Sequence, residues 1–146
     1  MMPFNPVTAV ADAIHLAVAP VFLLTGLGAM LGVLSARLAR IIDRSRKLHE
    51  LLSDATGTDR QRMHHELTLL SRRARLINWA ISLCVACALL ISTVIAVLFL
   101  DSFTALNMSL VIAVLFVAAM VAFILGLLGF LREVYLATAN LRIGPN

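Results

Sequence analysis

Four residues have the types and spacing that could do chemistry. Asp12 and His15 lie three positions apart, so on a helix they share one face and can pair. Such a pair is a candidate pH-sensitive site, although an ordinary polar pair at a membrane surface has the same spacing. Cys84 and Cys87 form a CxxC motif, but it lies within an apolar stretch and lacks the strand–helix–strand context of a redox site. We expect these cysteines to pack as small apolar side chains.

The other histidines do not have the spacing of a metal site. His64 and His65 are adjacent, so they point apart on a helix, and His49 has no second histidine four positions away. The chain also contains no glycine-rich phosphate loop, no nucleophile elbow and no HExxH motif. We therefore predict that the protein is not an enzyme and that it has no catalytic residue, no metal site and no cofactor.

Small residues recur along the first apolar stretch. Gly28 and Gly32 form a GxxxG motif that continues to Ala36, with Thr25 one turn before it. Such a face lets helix backbones approach closely in lipid. It predicts a pore-lining or subunit-contact surface, or packing against other helices of the same chain, and the spacing alone does not decide between them.

A basic stripe follows this small-residue face. Arg37, Arg40, Arg44 and Lys47 step by three, four and three positions, which places them along one side of a helix. The stripe is typical of a surface that contacts anionic lipid head groups. In a symmetric oligomer the same residues form a basic vestibule.

Three long apolar stretches must position these residues. The 146-residue chain is 61% hydrophobic and only 14% charged, which excludes an ordinary soluble domain. A helix needs about 20 apolar residues to cross a bilayer. Three stretches meet this requirement, at about residues 13–36, 76–100 and 105–131. The predicted fold is an all-α integral membrane protein with three transmembrane helices.

The distribution of basic residues predicts how these helices are threaded. Ten of the 12 lysines and arginines lie between the first and second stretches, and the other two follow the third. Because basic segments stay cytoplasmic, we expect the N-terminus and a short turn at 101–104 outside, with segment 37–75 and the tail 132–146 inside. The net charge of +4 then reflects topology, and no nucleic acid partner is expected. The predicted location is the bacterial inner membrane, as a multi-pass protein.

Segment 37–75 has the pattern of an antiparallel helical hairpin. Apolar residues recur at three- and four-residue spacings on both sides of a break at residues 53–57, as in a coiled coil. They are Leu38, Ile41, Leu48 and Leu52 before the break, and Met63, Leu67, Leu70, Ala74 and Ile77 after it. We expect one helix from Pro6 to about Leu52 and another from about Asp59 to Leu100. Pro20 either kinks the first helix or is the first residue of the membrane helix, which then follows a separate interfacial segment.

Parts of the sequence resemble a known family. The segments at residues 19–26, APVFLLTG, and 37–44, RLARIIDR, together with RRARLI at residues 72–77, are similar to bacterial membrane proteins catalogued as domain of unknown function 2721. The resemblance covers about residues 10–135. It implies a three-helix inner-membrane protein and assigns no activity.

Two functions fit these features. The first is a homo-oligomeric membrane assembly, in its sharper form an ion-conducting pore lined by the first helix with a basic cytoplasmic mouth. The second is an accessory or scaffold protein whose cytoplasmic hairpin binds a partner protein or anionic lipid. The lipid bilayer, its anionic head groups and further copies of the chain are the expected partners.

Overall fold

The structure, a computed structural model, describes residues 6–104 and 107–139. These residues form three α-helices and no strand: α1 Pro6–Leu52, α2 Thr58–Thr104 and α3 Ser109–Ala139. Each helix contains a stretch long and apolar enough to cross a membrane. The chain is therefore an all-helical protein with three candidate membrane spans, which indicates a multi-pass membrane protein.

Helix α1 is continuous through Pro20. It ends at Leu52, and the Asp54 N–H donates to the Leu51 carbonyl across the following turn at 3.3 Å. Gly57 has a φ of 64°, a left-handed conformation that glycine adopts without strain. Helix α2 begins directly after this glycine, at Thr58.

The second break lies later in the chain than the sequence indicates. The turn expected at 101–104 is part of α2, and α3 begins at Ser109, not at residue 105. The carboxylate of Asp101 accepts a hydrogen bond from the Met108 N–H at 3.2 Å, and the Met108 carbonyl accepts the Ile112 N–H at 3.1 Å. The charged Asp101 thus stays helical and satisfies a backbone donor at the start of the next helix.

The described residues fall into two compact units. One unit takes residues from Met1–Met30 and Leu83–Ile124. Its core contains both small and large apolar side chains, and Cys84 and Cys87 are fully buried in it. The other core residues of this unit are Ala13, Ala17, Leu27, Ile91, Val94 and Ala119.

The second unit takes residues from Leu31–Ser82 and Leu125–Asn146. Most of its buried apolar residues on α1 and α2 recur every seven positions, at Leu34, Ile41 and Leu48 and at Leu70 and Ile77, with Ala80 also buried. A seven-residue repeat is what keeps one seam of a helix facing its neighbours. On α3, the buried residues described in this unit are Gly126 and the charged Glu133.

Candidate functional site

Glu133 lies between two arginines from the other two helices. Its side chain is fully buried, although it is a carboxylate. Oε2 accepts a hydrogen bond from Nη1 of Arg37 at 3.0 Å, and Oε1 accepts one from Nη2 of Arg73 at 2.8 Å. One carboxylate thus binds all three helices of this unit together; we refer to Glu133, Arg37 and Arg73 as the charge triad.

The triad explains how a carboxylate can be buried here. An ionised group removed from water is strongly destabilising unless charged hydrogen-bond partners compensate. Both oxygens of Glu133 are compensated by cations, which form stronger hydrogen bonds than neutral donors. The guanidinium of Arg37 also lies over the Phe130 ring, 5.1 Å from its centroid, one turn before Glu133 on α3. Phe130 and Glu133 therefore both hold Arg37 against α3.

A second ion pair joins the same two long helices closer to their turn. Nε and Nη2 of Arg44 both donate to Oε1 of Glu66, Nε at 2.7 Å. The side chains are 64% and 38% exposed, so water screens this pair far more than the triad. The pair orients two side chains and contributes little stability.

Three residues of the predicted basic stripe share one cavity. Arg37, Arg40 and Arg44 line a space of about 300 Å³ whose other charged residues are Arg73 and Glu133. Lys47 is exposed and does not line it. Within the described residues, Arg40 and Lys47 form no ion pair, whereas Arg37 and Arg44 do. The stripe therefore contains two neutralised and two unpaired cations.

A second, larger cavity also has Arg73 in its lining. It measures about 750 Å³ and is formed by α2 and α3. Arg72, Arg75 and Arg132 line it together with Arg73 and Trp79. Arg73 lines both cavities. Its Nη2 donates a hydrogen bond to Glu133, and its Nε is buried without a hydrogen-bond partner.

The predicted small-residue face of α1 is exposed. Thr25, Gly28, Gly32 and Ala36 are all exposed, and the Thr25 hydroxyl donates to the Val21 carbonyl of its own helix at 3.2 Å. A Cβ atom added at Gly28 or Gly32 would meet nothing within 4 Å. Among the described residues, Gly28 and Gly32 therefore have no packing neighbour within the chain.

The predicted pair at the start of α1, Asp12 and His15, lies three positions apart on this continuous helix. Asp12 and His15 are both exposed, and no ion pair joins them in the described structure. In residues 6–104 and 107–139, no group of three or more histidine, cysteine or acidic side chains lies close enough to hold a metal ion.

Sequence reasoning missed Glu133, which it assigned to a cytoplasmic tail. Two signals point to it. Glu133 continues the seven-residue series of Ala119 and Gly126, both of which are buried. It also follows the apolar stretch of α3 by two residues, just as Arg37 follows that of α1 by one. Charged residues at matching ends of neighbouring spans can meet.

The chain matches one protein family. The profile of a family described as "Protein of unknown function (DUF2721)" matches residues 17–143, which is most of the chain. The chain therefore belongs to this family, as the resemblance implied. No curated protein and no solved structure matches the chain.

Proposed function

We propose that this member of the DUF2721 family is a non-enzymatic membrane protein that works as a homo-oligomer, with copies in contact through α1. The contact surface is the small-residue face formed by Thr25, Gly28, Gly32 and Ala36. Its open glycines are the observation that carries the proposal. The family description assigns no activity, so the proposal rests on geometry.

The glycines of α1 differ from a glycine that packs within the chain. A Cβ atom at Gly129 of α3 would lie 3.6 Å from the Cβ of Ala80 and 3.9 Å from Cε3 of Trp79, so close helix contact uses this position. A Cβ at Gly28 or Gly32 would meet nothing within 4 Å. The intramolecular explanation of the GxxxG motif therefore has no contact to support it.

The small-residue face also lies on the correct side of α1 for a second copy. Successive helical residues are about 100° apart, which places Gly32 and Ala36 roughly opposite the buried Leu27 and Leu34. In lipid, no hydrophobic force drives helices together, and small residues favour association by permitting close backbone contact. One side of α1 thus packs within the chain, and the other side is available to another copy.

The proposed location is the bacterial inner membrane, with the N-terminus outside and the C-terminus in the cytoplasm. All 12 lysines and arginines fall on the side assigned to the cytoplasm. The ends of α1 and α2 that flank residues 53–57 then form a cytoplasmic hairpin, held by the buried Ile41, Leu48 and Leu70.

In its sharper form, the assembly conducts ions along an axis lined by α1. Arg40 and Lys47 are the unpaired cations of the basic stripe and stand at the cytoplasmic mouth, where they attract anions. Flux of a fluorescent-reported anion into liposomes tests this form. Arg40→Glu is expected to reduce anion flux, while Arg60→Glu, an equal charge change near the hairpin turn, is not; equal flux in both variants contradicts conduction through this mouth.

Stoichiometry tests the assembly itself. We expect the mass of the protein in lipid nanodiscs or native micelles to be a multiple of the 15.8 kDa chain. Gly28→Leu/Gly32→Leu should reduce that multiple because bulky side chains separate the backbones. Ala113→Leu/Ala118→Leu, which adds the same bulky side chain at exposed small residues of α3, is the control and should leave it unchanged. A wild-type monomer in lipid overturns the proposal.

A second candidate function is an accessory protein whose hairpin docks a partner. Ile42 is 45% exposed and Leu51 is 57% exposed on the α1 arm, which leaves apolar surface outside the apolar stretch. Deleting residues 45–68 should abolish capture of such a partner and preserve membrane insertion. Capture that persists excludes the hairpin as the docking surface.

A further inference from the structure

The cavity between α2 and α3 has a lining that no part of the proposed function uses. It measures about 750 Å³, within the range of small-molecule sites. Four of its ten lining residues are arginines: Arg72, Arg73, Arg75 and Arg132. None of its lining residues is acidic. The cavity is therefore built for a negatively charged group.

The charge of this cavity is largely uncompensated. Arg72, Arg75 and Arg132 are exposed and form no ion pair with any residue that the structure describes. Nη2 of Arg73 donates a hydrogen bond to Glu133, and the buried Nε of Arg73 has no hydrogen-bond partner. Guanidinium groups hold phosphate oxygens with paired donors, so a phosphate group fits this arrangement.

Besides the arginines, Asn78 and Ser82 are the polar residues of the lining, and the other four residues are apolar or aromatic. Leu69, Leu76 and Leu136 line the cavity, and so does Trp79, which is 56% exposed. On α2, the apolar stretch begins at Leu76, directly after Arg75. On α3, it ends at Leu131, directly before Arg132. Tryptophan is typical of the level at which head groups meet acyl chains. A ligand of this cavity therefore has an anionic head and an apolar tail.

We propose that this cavity binds an anionic phospholipid. Arg72 of α2 and Arg132 of α3 hold the phosphate from two sides, and an acyl chain lies against Leu76 and Trp79. Basic pockets between membrane helices on the cytoplasmic side bind anionic head groups in this way. A free phosphate ion shares the head-group chemistry but leaves the apolar wall empty. The site lies within one chain and does not depend on self-association.

Trp79 makes the site directly measurable, because it is the single tryptophan of the chain. Purified full-length protein is placed in nanodiscs of phosphatidylcholine with increasing fractions of phosphatidylglycerol whose acyl chains are brominated. In the matched series, brominated phosphatidylcholine replaces the brominated phosphatidylglycerol at the same mole fractions. Bromine quenches tryptophan on contact, so we expect half-maximal quenching at a lower mole fraction of phosphatidylglycerol than of phosphatidylcholine.

Paired variants separate a built site from general attraction to a charged membrane. Arg72→Gln/Arg132→Gln should weaken the preference for phosphatidylglycerol by about fivefold per arginine, the contribution of one cation near an anionic surface. Arg46→Gln/Arg60→Gln removes the same charge from exposed residues outside the cavity and should retain the preference. Arg72→Lys/Arg132→Lys keeps both charges and should retain part of it.

The outcomes are distinct. Preference that depends on Arg72 and Arg132, and that persists with millimolar inorganic phosphate at constant ionic strength, supports the lipid site. Equal quenching by both lipids overturns it. So does an equal loss of the preference in Arg72→Gln/Arg132→Gln and in Arg46→Gln/Arg60→Gln. Loss of the preference on adding inorganic phosphate assigns the cavity to a free anion and equally overturns the proposal. A stoichiometry measurement on the same nanodiscs keeps this result separate from self-association.

Discussion

Nη1 of Arg37 lies 3.0 Å from Oε2 of Glu133, although 96 residues separate them in the chain. Arg73 approaches the other carboxylate oxygen from α2. A contact between such distant residues can form only when α1, α2 and α3 of this unit are in register. The charge triad therefore depends on correct packing of the three helices at one end of the candidate spans.

The first prediction concerns the buried half of this triad. Arg73→Leu should lower the free energy of unfolding by about 3–5 kcal/mol, because a fully buried carboxylate loses one of its two cations. Unfolding by SDS titration in mixed micelles, followed by far-ultraviolet circular dichroism, measures the change. Arg44→Leu is the matched control: it breaks the exposed pair with Glu66 and should cost less than about 1 kcal/mol. Equal losses in the two variants would contradict the structural role of Glu133.

The second prediction concerns compensation. Replacing a buried ion pair by apolar residues of similar volume is often neutral, whereas removing one partner is not. Arg73→Leu/Glu133→Leu should therefore recover at least half of the stability that Arg73→Leu loses, in the same SDS titration. Arg37 then loses its carboxylate partner, but its side chain is 37% exposed and still lies over Phe130. A double variant less stable than the single one contradicts this account.

Glu133 also marks the limit of what the sequence could predict. Length and apolar character suffice to predict three helices, and the proline at position 6 and the break after Leu52 indicate the ends of α1. Burial of a charge depends on partners from other helices, and hydropathy along one helix does not contain that information. Glu133 therefore looked like one acid in a polar tail, although its seven-residue spacing from Gly126 was visible.

The basic stripe is a second case in which the sequence does not show which charged residues find partners on other helices. Four cations at helical spacing look equivalent in the sequence, but Arg37 and Arg44 have acidic partners on other helices, and Arg40 and Lys47 have none among the described residues. The positions of Glu133 and Glu66 on the other helices decide this division. Spacing predicts a stripe, but it does not show which of the four charges have acidic partners on other helices.

The third prediction uses the glycine that packs within the chain. Gly129→Ala adds a methyl group at ordinary contact distance from Ala80 and Trp79, so stability should change by less than about 1 kcal/mol. Gly129→Leu overfills the same space and should destabilise by about 1–3 kcal/mol. Gly26→Leu, at a position with nothing within 4 Å, serves as the control in the same unfolding assay. Equal tolerance of leucine at both positions would show that α3 does not pack closely on α2.

The fourth prediction concerns orientation. A cysteine introduced by Gly57→Cys should react with a membrane-impermeant maleimide only after the inner membrane is opened, because the positively charged segment stays in the cytoplasm. Cys84 and Cys87 are buried and give little background. Labelling of intact spheroplasts from outside would invert the topology and place the arginine-lined cavity in the outer leaflet.

Contact between copies through α1 is tested most directly by disulfide cross-linking in membranes that have not been solubilised. Ala36→Cys lies on the small-residue face, and Val121→Cys lies on exposed α3, 51% accessible in the wild type. The account predicts that mild oxidation produces a cross-linked dimer from the Ala36→Cys chain and little from the Val121→Cys chain. No dimer at Ala36, or equal yields at both positions, would contradict it.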